Sequence, residues 1–375
     1  MRRTVVLALT AVLSAGLLSG ASAGEVSPSR HPAVFETVFA SPLGLEGLTT
    51  DGRGNLYTPA RGADPCPVYR VAATGGPAAV VGTIPAPCNP TGLTFDRRGR
   101  LYVANADTVV SFVPDAANPP AATVFASGVP GANGLAFDRS GALWISDGGT
   151  GQGRVWRAGA DGVALEQFRV QPMVSDVIPG GIGRDVRGLP PGSVTITPSG
   201  RTAADTAGSQ HIVANGLAFT ADGTLLIADT ARGALWRVPM DRGGRPRAST
   251  GCDSAFPADT LCLDDVDVQH PYLEGADGIV LDRAGNVWTA ANERNAIVLA
   301  RRDGRVVEYF RNPADATSKL RNGGPLEFPT SPVLLPDGRL CVTNSDGNRR
   351  DNAPNTAGEA NPAGPVRAKI SCVKP

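Results

Sequence analysis

Six short stretches of this 375-residue chain place a side-chain oxygen just before a glycine or, once, a proline. They are Glu46-Gly47, Thr91-Gly92, Asn133-Gly134, Asn215-Gly216, Asp277-Gly278 and Ser331-Pro332. Two carboxylates, two amides and two hydroxyls gathered in one place would form a hard-oxygen environment of formal charge −2. Such a set suits Ca²⁺, which takes roughly six to eight oxygen ligands. Other divalent cations are possible, although Mg²⁺ demands a tighter octahedron. A plainer reading competes. Asn-Gly and Asp-Gly are ordinary turn dipeptides, and Thr91 and Ser331 could cap strand ends. That reading explains Glu46 poorly, because glutamate is not a turn former.

The elements that would bring these residues together are legible as an internal repeat. Each copy runs from a short alternating strand into an Asp-x-x-Gly or Asp-Gly turn, then into a second strand. Thr91-Gly92-Leu93-Thr94-Phe95-Asp96 with Gly99-Arg100-Leu101-Tyr102-Val103 is one copy. Asn133-Gly134-Leu135-Ala136-Phe137-Asp138 with Gly141-Ala142-Leu143-Trp144-Ile145 is the next. The turn glycine supplies the positive φ that a tight hairpin needs. Third and fourth strands follow, such as Gly233-Ala234-Leu235-Trp236-Arg237 and Val306-Val307-Glu308-Tyr309-Phe310. Four antiparallel strands per repeat make a propeller blade. The chain is therefore expected to be all-β, a six-bladed β-propeller whose six oxygen-bearing positions converge at one end of the central channel. The repeat steps are 45, 42, 82, 62 and 54 residues. The 82-residue step predicts a long insertion around 177–209, rich in Gly, Pro and Arg. Val194-Thr195-Ile196-Thr197 before Pro198-Ser199-Gly200 keeps a seventh blade as the alternative. Val34 to Phe39 and Val366 to Val373 are candidates to share the closing blade.

Residues 1–23 read as a signal peptide. Arg2 and Arg3 precede an apolar run from Val5 to Leu18, and Ala21-Ser22-Ala23 is an A-x-A cleavage site. Residues 24–375 are then one propeller domain of a secreted protein with no membrane span. Without Arg2 and Arg3, 33 basic residues face 35 acidic ones and no basic stripe stands out, which excludes nucleic-acid binding as an expectation. Six cysteines in an exported chain predict disulfides, and the nearest-neighbour pairing is Cys66–Cys88, Cys252–Cys262 and Cys341–Cys372. No cysteine pair has zinc-knuckle spacing.

At the oxygen-bearing positions the sequence resembles the calcium-dependent six-bladed propellers of the gluconolactonase, regucalcin and luciferin-regenerating-enzyme superfamily, with relatives diisopropyl fluorophosphatase and paraoxonase. The matching stretches are Glu46-Gly47, Asn133 to Asp138, Val213 to Phe219 and Gly275 to Ile279. The resemblance implies Glu46, Asn133, Asn215 and Asp277 as calcium ligands, and Asp277 also as general base or nucleophile. It leaves Thr91 and Ser331 as bystanders. Three features depart from the family: Leu48 where a proline and an aromatic residue often follow the glycine, the long insertion, and the cysteines.

The expected activity is calcium-dependent hydrolysis of a small-molecule lactone or related ester, by a monomer; a phosphotriester is a further possibility by resemblance. A non-catalytic binding propeller with a structural ion is one alternative, a propeller lyase another. The lyase would need a histidine near the channel, and His211 is the one placed for it. His270, beside Asp264, Asp265 and Asp267, reads most simply as part of a solvated loop. No G-x-S-x-G motif supports serine-hydrolase chemistry.

Overall fold

Each repeat folds as a small antiparallel sheet because every second strand is apolar on both faces, so it needs a neighbour on either side. A computed structural model describes residues 33–148, 150–171, 212–241, 243–247, 259–262, 265–311, 326–345 and 368–374. Residues 1–23, expected to be a signal peptide, the insertion expected around 177–209, His211 and Cys252 lie outside the described residues.

Strand β1 (Glu36–Ser41) belongs to the last blade. Blade one holds β2 (Gly44–Leu45), β3 (Thr49–Thr50), β4 (Asn55–Arg61), β5 (Cys66–Ala72) and β6 (Ala79–Ile84). Blade two holds β7 (Pro90–Phe95), β8 (Leu101–Asn105), β9 (Thr108–Phe112) and β10 (Thr123–Ser127). Blade three holds β11 (Ala132–Phe137), β12 (Leu143–Asp147), β13 (Arg154–Ala158) and β14 (Ala164–Val170). Blade four holds β15 (Leu217–Phe219), β16 (Leu225–Asp229) and β17 (Ala234–Val238). The next segment, β18 (Thr260–Leu261), joins blade three, pairing parallel with β14, and β19 (Val266–Gln269) completes blade four. Blade five holds β20 (Ala276–Leu281), β21 (Val287–Ala291), β22 (Ala296–Ala300) and β23 (Val306–Arg311). Blade six holds β24 (Pro329–Leu334), β25 (Leu340–Asn344) and β26 (Ala368–Val373), with β1 as its outer strand.

The closing blade behaves as the sequence predicts. β1 pairs antiparallel with β26, so the two ends of the domain share one sheet and the ring closes. Cys341 and Cys372 face each other across β25 and β26 and are bonded. Cys66–Cys88 is bonded too. The two loops close over 22 and 31 residues, and crosslinks of that span contribute about 3 kcal/mol each by restricting the unfolded chain.

The core is six layers, one between each pair of adjacent blades. β12 shows why. Its five residues are all buried, and with period-two alternation Leu143 and Ile145 pack toward blade two while Trp144 packs toward blade four. Trp144 meets Phe168, Leu217, Leu225, Ile227 and Trp236 in one apolar cluster. Truncating a fully buried tryptophan of this kind costs about 3–5 kcal/mol.

The hairpin turns are built as the repeat grammar predicts. In blade three the Asp138 carboxylate accepts from the backbone N–H groups of Ser140 and Ala142 at 2.8 and 3.0 Å, and from Trp144 Nε1 at 2.9 Å. Asp282 does the same with Ala284, Asn286 and Trp288. One side chain thus ties each turn to the aromatic residue of the second strand.

Candidate functional site

The glycines beside the oxygen-bearing residues are not turn glycines. None of Gly47, Gly92, Gly134, Gly216 and Gly278 has a positive φ, and Gly92, Gly134 and Gly278 lie inside inner strands. Their reason is space. A Cβ on Gly216 would stand 2.5 Å from the carbonyl oxygen of Asp277, and one on Gly278 would stand 2.5 Å from that of Thr330. Gly47, Gly92 and Gly134 abut the carbonyls of Thr91, Asn133 and Asn215 still more closely. The circuit closes where Thr330 Oγ1 and Thr343 Oγ1 each donate to the Glu46 carbonyl at 2.6 Å. Each blade therefore presses the backbone of its oxygen-bearing residue against the blade before it. Six such contacts make a ring that admits no blade between blades three and four, where Ser146 Oγ also donates to the Asn215 carbonyl at 2.6 Å. Six blades, not seven, is the result.

The ring corrects one expectation. Pro329 pairs with Asn344 and Pro332 with Val342, just as Pro90 pairs with Asn105 and Leu93 with Val103. Thr330 is therefore the counterpart of Thr91, and Ser331 stands in the glycine's place. The sixth oxygen-bearing residue is Thr330 rather than Ser331. The register breaks at the same point in blades two, three, five and six. These bulges carry the residue in question out of the regular ladder, as bulges beside functional sites commonly do.

The side chains are held from a second position, which the sequence reading missed. It lies five residues after the first apolar residue of the second strand: Arg61, Ala106, Gly148, Thr230, Asn292 and Ser345. Asn292 Nδ2 donates to Asp277 Oδ2 at 3.0 Å. Asn215 Nδ2 donates to Thr230 Oγ1 at 2.9 Å. Arg61 forms an ion pair with Glu46 Oε2. At Gly148 a Cβ would collide with the Asn133 side chain, so glycine makes the room that Asn133 occupies. At this position Arg61, Thr230 and Asn292 thus hold Glu46, Asn215 and Asp277, and Gly148 leaves space for Asn133. The six residue types share no chemistry, so only the spacing could have revealed the position.

The hydrogen bonds also fix which atoms face the ring. Thr230 has one hydroxyl proton and gives it to the Ala276 carbonyl at 2.6 Å. It must therefore accept from Asn215, which leaves the amide oxygen of Asn215, not the nitrogen, directed away from Thr230. Asn133, Asn215 and Asp277 are buried, while the Glu46 side chain is 18% exposed. Among the described residues no group of three or more His, Cys, Asp or Glu side chains could hold a metal ion. A cation at this ring would have to draw on amide or main-chain oxygens beside the two carboxylates. That donor set fits a hard, oxygen-seeking ion such as Ca²⁺.

Around this end of the channel, Asp229 and Arg232 form a fully buried pair, with Trp236 Nε1 donating to the same carboxylate oxygen at 3.0 Å. Burial pushes the Asp229 carboxyl above its ordinary value, and the Arg232 charge and the Trp236 hydrogen bond oppose that rise. The pair anchors β16 immediately before Thr230. His270 is structural. Its Nδ1 accepts from the Tyr272 N–H at 3.1 Å and caps the 3-10 turn Pro271–Leu273. Burial lowers its pKa, with the Arg294 charge adding to the effect and Glu308 opposing it. The acidic run is only partly the loop expected from the sequence: Asp265 accepts from the Cys262 N–H, but Asp267 lies in strand β19 and pairs with Arg237. Grooves of about 440 and 570 Å³ open elsewhere, at the hairpin turns, and are lined by turn residues such as Asp138, Asp222, Asp282 and Gly338.

Residues 68–326 match the family described as SMP-30/Gluconolactonase/LRE-like region. The chain belongs to this family. Among solved structures, a luciferin-regenerating enzyme is 14% identical, with 92% of this chain and 95% of that one covered and a TM-score of 0.58. Regucalcin from Agrobacterium tumefaciens, described as a calcium-binding protein, is 20% identical, with coverage of 92% and 95% and a TM-score of 0.54. The PQQ-bound aldose sugar dehydrogenase of Streptomyces coelicolor is 18% identical, with coverage of 93% and 99% and a TM-score of 0.55. At these identities the likeness is one of fold, and the fold hosts more than one chemistry. No curated protein matches the sequence. Among the described residues no helix is long and apolar enough to cross a membrane.

Proposed function

We propose that this chain is an exported, calcium-dependent hydrolase that opens a lactone or related ester at the ring of Glu46, Asn133, Asn215 and Asp277. The observation that carries the reading is that one structural position supplies a partner to Glu46, Asn215 and Asp277 and, through Gly148, leaves the room that Asn133 fills. Orienting polar groups that firmly is a requirement of catalysis and of metal binding, and a merely structural ring has no need of it. Membership of the gluconolactonase-like family supports the substrate class, and two disulfides support an oxidising destination.

Glu46 and Asp277 would supply the charged ligands, and Asn133 and Asn215 the neutral ones. A bound Ca²⁺ supplies Lewis-acid polarisation of the substrate carbonyl. Asp277, its carboxylate held by Asn292, takes a proton from the attacking water, or itself adds to the acyl carbon. In the general-base route the ring C–O bond then breaks and the departing alkoxide takes the proton held by Asp277 to give the hydroxy acid; in the nucleophilic route the same cleavage leaves an acyl anhydride on Asp277, which water must hydrolyse to release the hydroxy acid and free the carboxylate. Asn215 presents its amide oxygen throughout, because Thr230 leaves it no alternative.

Asp277→Asn tests the assignment. The variant keeps the size of the side chain and should unfold within a few degrees of the parent. Hydrolysis across a lactone panel should fall by about 10²-fold or more, the scale of a lost general base. Undiminished turnover would show that Asp277 has neither role. EDTA should abolish hydrolysis and Ca²⁺ restore it. A melting temperature that falls on chelation, without turnover on any lactone or ester, would favour a non-catalytic binding propeller.

A further inference from the structure

Blade one differs from blades three, four and five in the charge of its second residue. Thr230, Asn292 and Gly148 are neutral, whereas Arg61 is a cation placed directly on Glu46. Orientation alone does not call for charge, since Asn292 holds the Asp277 carboxylate with a neutral amide at 3.0 Å. The guanidinium therefore does something further. It offsets one of the ring's two carboxylates, and it occupies Oε2 of Glu46, an oxygen that a cation at the ring would draw on. The pair is partly open to solvent, with Arg61 30% and Glu46 18% exposed, whereas Asp277 is buried. A long arginine stem in that setting can leave its partner without stranding a charge in the interior.

Resting on the reading of the ring as a cation site, we propose that Arg61 is a resident counter-ion. It occupies Glu46 in the cation-free protein, is displaced when a divalent cation binds, and so sets the affinity of the ring for that cation. A guanidinium and a divalent ion cannot share one carboxylate oxygen, and their mutual repulsion at close range is strong wherever water is excluded. Arg61 thus lets the ring fold without its ion, and the cost is weaker binding of the ion.

The test is calorimetric titration of the whole chain with Ca²⁺. Arg61→Gln should tighten binding at least tenfold, and Arg61→Lys should stay within threefold of the parent. In the cation-free state Arg61→Gln should melt earlier than the parent, with Ca²⁺ raising its melting temperature by more. Arg61→Met, which keeps the stem and removes the charge, serves if Arg61→Gln does not fold. Unchanged or weaker binding in the charge-removing variant overturns the proposal. Glu46→Gln separates this failure from that of the ring itself. If Glu46→Gln loses affinity while Arg61→Gln gains none, only the counter-ion idea falls. If Glu46→Gln binds Ca²⁺ as well as the parent, the ring is not the site. A parent that takes up no Ca²⁺ beside an Arg61→Gln that does would support the proposal, and no binding by either would overturn both readings.

Discussion

The inner strands of blades two, three and five each carry a glycine near one end and meet another just past the other end, and the two glycines answer different physical demands. In blade three, Gly134 has an ordinary φ, but a Cβ there would run into the Asn215 carbonyl and stand 2.9 Å from Ser146 Oγ. Gly141, in the hairpin turn, has open space around it but a φ of 88°. The first is fixed by what the next blade places against it, the second by its own backbone. The same contrast runs through the polar residues. At the turn end of blades one, three and five an aspartate recurs in a single role, tying the turn to an aromatic residue. At the ring end the residue type changes from blade to blade while its backbone position stays constant. Recurring chemistry marks the end that builds the fold, and varied chemistry on a uniform scaffold marks the end suited to a site.

Swapping the two glycines for alanine is the strongest way to break this comparison. Gly134→Ala should cost about 3 kcal/mol or prevent folding, because the carbonyl it strikes belongs to Asn215, whose backbone is held by Ser146 Oγ and the Ala228 carbonyl. Gly141→Ala should cost about 1–2 kcal/mol, the penalty of a left-handed conformation for a residue with a Cβ. Urea unfolding of the two variants measures both, and equal losses would erase the distinction.

Much of this was legible in the chain. The spacing of turns and apolar pairs reveals six blades and the closing sheet, because every blade repeats the same local chemistry and local chemistry is what a sequence displays. The cysteine pairs Cys66–Cys88 and Cys341–Cys372 follow from neighbours in the repeat. Three features were not legible. In blade six a serine stands where the other blades have glycine, so the repeat could be aligned one residue off, and only the pairing of Pro329 with Asn344 shows that Thr330 is the ring residue. The second position, from Arg61 to Ser345, has no common residue type, so nothing marks it until the strand register is known. The parallel pairing of β18 with β14 joins segments from different blades, a long-range choice that no local pattern announces.

A middle-sized effect sharpens the comparison at the ring end. Ser146 Oγ accepts from the Gly134 N–H at 2.7 Å and donates to the Asn215 carbonyl. Thr343 repeats the arrangement, accepting from the Ser331 N–H at 3.2 Å and donating to the Glu46 carbonyl. Ser146→Ala leaves both buried partners of Ser146 unsatisfied and should cost about 2 kcal/mol. Because Asn215 moves with its carbonyl, Ca²⁺ affinity should fall as well. A loss of stability with unchanged affinity would mean that the ring holds its side chains independently of these hydroxyl bridges.

The smallest expected effect belongs to the turn end and reads out in acid. Burial pushes the Asp138 carboxyl up, but hydrogen bonds from Ser140, Trp144 and Ala142, with the Arg157 charge, outweigh it and hold the folded-state pKa below the ordinary aspartate value. Asp282 and Asp51 are held low by equivalent bonds, again against burial. A depressed folded pKa means that the ionised group contributes its full stability above the unfolded value of about 3.9. That contribution drains as pH falls through the unfolded value and on to the folded one. Asp138→Asn should therefore cost about 1 kcal/mol at pH 7, and the gap to the parent should close as the pH drops below about 4. Since Asp138 lies at the turn end, Ca²⁺ affinity and lactone hydrolysis at pH 7 should not change. A pH-independent gap would mean that the carboxylate acts here by shape and not by charge, and a loss of Ca²⁺ affinity would mean that the two ends of the strand are not as separate as their chemistry implies.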